Sequence, residues 1–138
     1  MSRWLAVDYG KRRIGLAMSD PGERIASPLT TLEATGSAPE DARLILELAR
    51  QNDAAGIVIG LPVNMDGSIG PQAKLSQDLA ERIRREGQLP VELWDERLST
   101  FQADELMRAA NLSPDRRRRH RDALAAQVIL QSFLDARR

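Results

Sequence analysis

The run Gly56-Ile57-Val58-Ile59-Gly60 has no polar atom in any side chain and is five residues long. Too short for a buried helix, it reads as a strand covered on both faces, the usual state of a central parallel strand. A parallel neighbour requires a crossover connection, so helices must lie on the sheet. The rest of the chain supplies them. Trp4 to Val7 is a second apolar run, ended by Asp8, and reads as a strand over residues 4–8. Tyr9-Gly10-Lys11-Arg12-Arg13 reads as a turn and Ile14 to Met18 as the returning strand of a hairpin. Ala26 to Leu32 is a weaker third strand carrying Thr30 and Thr31. Ser37-Ala38-Pro39-Glu40 is a capping pattern that opens a helix through about Asn52. Leu61 to Pro71 is loop-like. The next helix, from Pro71 to Glu86, places Leu75, Leu79 and Ile83 on one stripe, with Gly87 as its stop. Val91 to Trp94 is the fifth strand. Ser99-Thr100-Phe101-Gln102 opens a helix with Ala103, Leu106, Met107 and Ala110 inward, and a last helix runs from about Arg121 to Ala136. The order β-β-β-α-β-α-β-α-α predicts an α/β fold, a five-stranded mixed sheet flanked by helices on both faces. The length of 138 residues fits one domain over 1–138.

Composition narrows the chemistry. There is no cysteine, and His120 is the one histidine. Disulfides, zinc fingers, thiol catalysis and metal sites built on several histidines are excluded within the chain. A metal here must sit on oxygen ligands, which favours hard cations. The net charge of zero conceals an uneven distribution. Residues 1–24 carry five basic and three acidic groups, residues 25–107 seven and fourteen, and residues 108–138 eight and three. Two basic ends thus flank an acidic middle, a distribution that admits a polyanionic partner. The five aromatic residues are too few for a base-stacking platform. The first apolar run is too short for a signal peptide or a membrane span, so the expected location is cytoplasmic, with no membrane partner.

Four acids stand where chemistry could use them. Asp8 follows a buried strand, where desolvation penalises its charge unless a cation meets it; it could also simply close the turn before Gly10. Asp95 and Glu96 end the fifth strand and point to opposite faces. Glu96 shares a face with Trp94, Asp95 with Leu93, and local pattern does not choose between them. Asp122 lies on the helical stripe of Ala125, Ala126, Ile129 and Phe133, aimed at the core. An acid in a first helical turn is also favoured by the helix dipole. Three converging carboxylates repel one another. Mg²⁺ or Mn²⁺ would neutralise them, and a pair of ions ~4 Å apart can clamp both attacking and leaving oxygens of a phosphodiester. Lys11, Arg12 and Arg13 follow Asp8, while Arg116, Arg117, Arg118, Arg119 and Arg121 precede Asp122. Both groups, with Arg97, are candidate phosphate contacts. The Arg116–Arg119 run is expected in a mobile loop that binds as well. Asp66-Gly67 reads as a turn and Tyr9 as a packing or substrate-edge residue.

Together these blocks resemble a known family. Val7-Asp8-Tyr9-Gly10 with Arg13-Ile14-Gly15 and Ser19-Asp20 is similar to the opening of the YqgF/RuvX family. Ile59-Gly60-Leu61-Pro62-Val63-Asn64-Met65-Asp66-Gly67-Ser68 resembles its middle block. Asp95-Glu96-Arg97-Leu98-Ser99-Thr100, and Asp122 with Ala125-Ala126 and Ile129-Leu130, resemble its later ones. The four blocks follow in family order and span nearly the whole chain. The resemblance implies an RNase H-like fold related to Holliday-junction resolvases. It implies a metal-dependent nuclease, with Asp8, Glu96 and Asp122 as acidic triad and metal ligands, acting in maturation of the 16S rRNA 5′ end. In that fold the second acid commonly ends the fourth strand, where this chain has the neutral Gly60-Leu61-Pro62. Asp66 and Asp95 therefore stand beside Glu96 as alternatives. RNA is favoured over DNA as partner, and the chain is expected as a monomer or homodimer. A DNA junction resolvase, a non-catalytic nucleic-acid-binding factor and an actin- or sugar-kinase-like ATPase are the competing functions; the last needs two such domains.

Overall fold

The computed structural model describes residues 2–98 and 114–137, the side chains of 114–120 excepted. Strands β1 (Arg3–Tyr9), β2 (Arg13–Ser19) and β3 (Ala26–Glu33) form an antiparallel meander. Helix α1 (Ala38–Gln51) crosses to β4 (Ala54–Leu61), and α2 (Pro71–Gly87) crosses to β5 (Val91–Asp95). Both β4 and β5 run parallel to β1, giving the sheet order β3-β2-β1-β4-β5. A single 3₁₀ turn, Glu96–Leu98, follows β5, and α3 (Pro114–Ala136) closes the described chain. The expected mixed sheet with helices on both faces is the observed one.

The two faces of the sheet are built differently. On one, Leu5, Val7, Ile14, Leu16, Ile57 and Ile59 pack under Ile45 of α1 and Leu79 and Ile83 of α2. Each of these large aliphatic side chains stabilises the fold by roughly 1.5–3 kcal/mol on burial. On the other face the strands present Ala6, Gly15, Ala17, Val58 and Gly60, so α3 can lie close across β1, β2, β3 and β4. Its buried stripe is Ala126, Ile129, Leu130 and Phe133. Trp4 and Trp94 fill the wider gap at one end of this layer, with ring centroids 4.9 and 5.8 Å from that of Phe133.

Several local expectations need correction. In α2 the inward stripe is Ala73, Ser76, Leu79, Ala80 and Ile83, and Leu75 is 47% exposed. The buried arc is centred one position further round the helix than the Leu-Leu-Ile spacing suggested. Gly87 is still helical, and Gln88, at φ 55°, provides the left-handed stop. Gly87 serves packing instead: a Cβ there would stand 2.4 Å from Leu46 Cδ2 of α1. The final helix begins at Pro114 rather than Arg121. The backbone of Arg116 to Arg119 is therefore helical, not a loop, and Asp122 sits roughly 12 Å along the helix, too deep for its N-terminal dipole to explain an acid there. The helix expected after Ser99 lies outside the described residues.

Gly15 sets how closely α3 approaches. A Cβ at this position would stand 1.9 Å from the Asp122 carbonyl oxygen and 2.9 Å from the Ala123 nitrogen. These are backbone atoms of a long helix and cannot turn aside. At Gly60 the corresponding obstacles are side chains, Ile129 Cδ1 at 2.6 Å and Glu96 Cγ at 3.0 Å. Gly15→Ala is expected to destabilise by about 3 kcal/mol or more, whereas Gly60→Ala should cost only about 1 kcal/mol. Urea unfolding of the two variants checks this ordering; equal losses would show that α3 can slide.

Candidate active site

Three carboxylates, Asp8, Glu96 and Asp122, lie near the C-terminal ends of the parallel strands, on the face covered by α3. Asp8 lies two residues beyond Ala6 on β1, and the alternation that sends Val7 under α1 and α2 sends Asp8 toward α3. Its cross-strand partner is Gly15, the residue on which the Asp122 peptide rests. Asp122 is thereby carried beside Asp8. Glu96 follows Trp94, whose ring packs on the α3 side, and the Glu96 side chain crosses the bare Gly60 of β4. The face left undecided by local pattern is fixed by this packing.

Electrostatics registers the convergence. Burial, with the Asp122 charge behind it, pushes the Asp8 carboxyl up to about 6. Burial, followed by the charges of Asp8 and Asp95, pushes Glu96 up to about 7. Both shifts disfavour the ionised form, as desolvation and like charge require. Arg13 contacts one of these acids: its Nε donates to Asp122 Oδ2 at 2.8 Å. Among the described residues, no group of three or more acidic or histidine side chains is drawn together tightly enough to ligate one ion as it lies. The donor chemistry nevertheless fits a hard divalent cation, since the groups present are oxygen donors whose mutual repulsion such an ion would relieve.

The other candidates are placed differently. Asp95 is engaged by Arg97, which donates from Nη2 to Oδ2 at 2.7 Å, from Nε at 3.0 Å and from its backbone nitrogen to Oδ1 at 2.9 Å. These bonds hold the Asp95 carboxyl below its usual range. Arg97 also reaches back through Nη1 to the carbonyls of Asn64 and Met65, at 3.5 and 3.4 Å. It braces the β4–α2 loop against β5. Asp66 accepts from the backbone nitrogen and hydroxyl of Ser68, closing the turn in which Gly67 has φ 89°. Lys11, Arg12 and Arg121 are exposed around the acids. The side chains of Arg116 to Arg119, and of His120, lie outside the described residues.

One buried acid escaped the sequence. Asp41, 1% exposed in the first turn of α1, accepts from the Tyr9 hydroxyl at 2.6 Å and from Thr35 Oγ1 and N at 2.8 and 2.9 Å. Gln72 Nε2 donates to the Tyr9 carbonyl at 2.8 Å. Tyr9 is thus clamped from both helices of the opposite face, immediately after Asp8. The signal available was the Thr35-Gly36-Ser37 approach to α1, but polar residues before a helix read equally as ordinary capping.

The model of the family RuvX, described as Holliday junction resolvase, matches residues 2–136. A protein of Roseiflexus sp. (strain RS-1), named "Putative pre-16S rRNA nuclease", is 43% identical over 136 residues, covering 99% of this chain and 96% of that protein. One of the same name from Anaeromyxobacter dehalogenans (strain 2CP-C) is 47% identical over 135 residues, covering 98% of each. Among solved structures, T. thermophilus RuvC in complex with Holliday junction substrate superposes with a TM-score of 0.65 at 13% identity, covering 99% of this chain and 96% of that one. That likeness concerns the fold, which is RNase H-like.

The raised carboxyls make stability depend on pH. Between about pH 4 and 7 the folded chain holds protons at Asp8 and Glu96 that the unfolded chain releases, so these groups cost stability as pH rises through that window. In EDTA, thermal unfolding of the wild type should fall between pH 5 and 7.5. Glu96→Gln should make this fall smaller, by removing the group with the higher value. An identical fall in the variant would show that Glu96 is not shifted.

Proposed function

The chain belongs to the RuvX family, and on that premise we propose that it is a metal-dependent nuclease acting on the 16S rRNA precursor at its 5′ end. The observation that carries the reading is the placement of Asp8, Glu96 and Asp122 on one face of the sheet, with burial and neighbouring acids raising the carboxyls of Asp8 and Glu96. The names of its nearly full-length relatives support RNA as the substrate.

Asp8, Glu96 and Asp122 would hold Mg²⁺ or Mn²⁺. When bound, such ions supply an activated water and neutralise the charge developing on the leaving 3′-oxygen. The chain's own residues do the rest. Asp8 stands centrally, coupled to both other acids, and its position is fixed by β1 pairing and by the clamp on Tyr9. Lys11, Arg12 and Arg13 in the hairpin, with Arg116 to Arg119 and Arg121 along α3, would contact phosphates and set the strand across the acids. Asp95 and Arg97, already engaged with each other, act as a brace for the β4–α2 loop. Among the described residues no helix is long and apolar enough to cross a membrane.

The test sets three substrates side by side with Mg²⁺ or Mn²⁺: a pre-16S 5′-end fragment, an unstructured single-stranded RNA and a four-way DNA junction. The expected outcome is cleavage of the precursor fragment in preference to the other two. Asp8→Asn should lower its cleavage roughly a hundredfold or more, while binding measured in EDTA stays near wild type. Preferred cleavage of the junction would make this a DNA resolvase. Tight binding with no cleavage of any substrate would make it a binding factor.

A further inference from the structure

Arg13 opens β2 two residues before Gly15, and strand alternation puts both on the α3 side. Because Gly15 has no side chain, the Asp122 peptide rests directly on β2. The Asp122 carboxylate therefore falls within reach of a guanidinium only about 7 Å along the same strand face. The contact forms: Arg13 Nε to Asp122 Oδ2 at 2.8 Å, with the Arg13 side chain 56% exposed and that of Asp122 23% exposed. Arg13 thus belongs to two groups at once. It ends the basic turn Lys11-Arg12-Arg13, which faces solvent, and it neutralises an acid of the candidate metal site. Among the described residues the bond is a single one, through Nε.

We propose that Arg13 is the resident counter-ion of Asp122, occupying that carboxylate until a divalent cation displaces it, and that the released guanidinium then takes a substrate phosphate. The inference rests on the metal-dependent nuclease reading and deepens it. A half-exposed pair of this kind is weak, so exchange is easy in both directions. Cation and polyanion each pull the same equilibrium: the cation takes Asp122, the phosphate takes Arg13. Each ligand therefore promotes the other, because linkage is reciprocal. Arg13 is a positioning residue in this scheme. It weakens metal binding until nucleic acid is present, and it supplies one phosphate contact afterwards.

The test is a Mn²⁺ titration of the full chain without nucleic acid, followed by the electron paramagnetic resonance signal of free Mn²⁺. Wild type, Arg13→Gln and Arg13→Lys are compared, with thermal melting as the check that all three fold. Arg13→Gln should bind Mn²⁺ about two- to fivefold more tightly than wild type, the range expected for loss of one such ion pair. Arg13→Lys, which keeps the charge, should remain near wild type. In EDTA, a fluorescein-labelled single-stranded RNA should bind Arg13→Gln several-fold more weakly. Opposite movement of the two affinities is a signature that a merely structural role would not give. If wild type binds Mn²⁺ and Arg13→Gln binds it no more tightly, the counter-ion proposal is wrong while the nuclease reading stands. If wild type binds no Mn²⁺ even when the single-stranded RNA is added, both are overturned.

Discussion

The seating of α3 on β2 at Gly15 is the contact on which the candidate site depends. A strand residue with any side chain would hold the helix off by the width of a methyl group, and the Asp122 peptide would lose its place beside the strand. The small residues around it, Ala6, Ala17 and Gly60, extend that close approach over the middle of the sheet. The opposite face shows what the alternative looks like. There the strands carry isoleucine, leucine and valine, and the helices bring aliphatic side chains rather than backbone to the sheet. One face is built to bury apolar surface, the other to bring a carboxylate within reach of β1.

That arrangement carries an electrostatic cost. Asp8 feels Asp122 from one side, and Glu96 feels Asp8 and Asp95 from the other. The fold tempers the repulsion locally, pairing Asp122 with Arg13 and Asp95 with Arg97. Asp8, between the two sides, is instead anchored by its neighbour. Tyr9 is tied through its hydroxyl to Asp41 and through its carbonyl to Gln72. Part-buried hydrogen bonds of this kind hold a strand end beyond what apolar packing alone does, since each unmade bond would leave a partly desolvated polar group.

How far the sequence reveals this depends on whether a feature is written in local periodicity. The strands and α1 are, because a core face imposes alternation or a helical stripe on consecutive residues. Asp122 was legible for the same reason: it interrupts an otherwise apolar stripe. Asp95 and Glu96 were not separable, because the choice of face is made by Trp94 packing on Phe133, 39 residues away in the chain. Arg97 reads from the sequence as a candidate phosphate contact, because its bond to Asp95 two residues earlier lies on a turn whose geometry no periodic pattern encodes. The start of α3 was misjudged because an arginine run has no apolar stripe to announce a helix. Leu75 misled for the opposite reason: its spacing matched a stripe that the sheet does not use. The clamp on Tyr9 joins three segments distant in sequence, and only the fold brings them together.

On the proposed reading, the α3 face holds Asp8 and Glu96 in a state that a divalent cation resolves. Side-chain carboxyl titration by ¹³C NMR, with and without Mg²⁺, addresses it directly. Without metal, Asp8 should titrate at about 6 and Glu96 at about 7. With saturating Mg²⁺ both should fall below their ordinary carboxylate values, because the cation favours the charged form. Two carboxyls that titrate at ordinary values without metal, and do not move when Mg²⁺ is added, would contradict it.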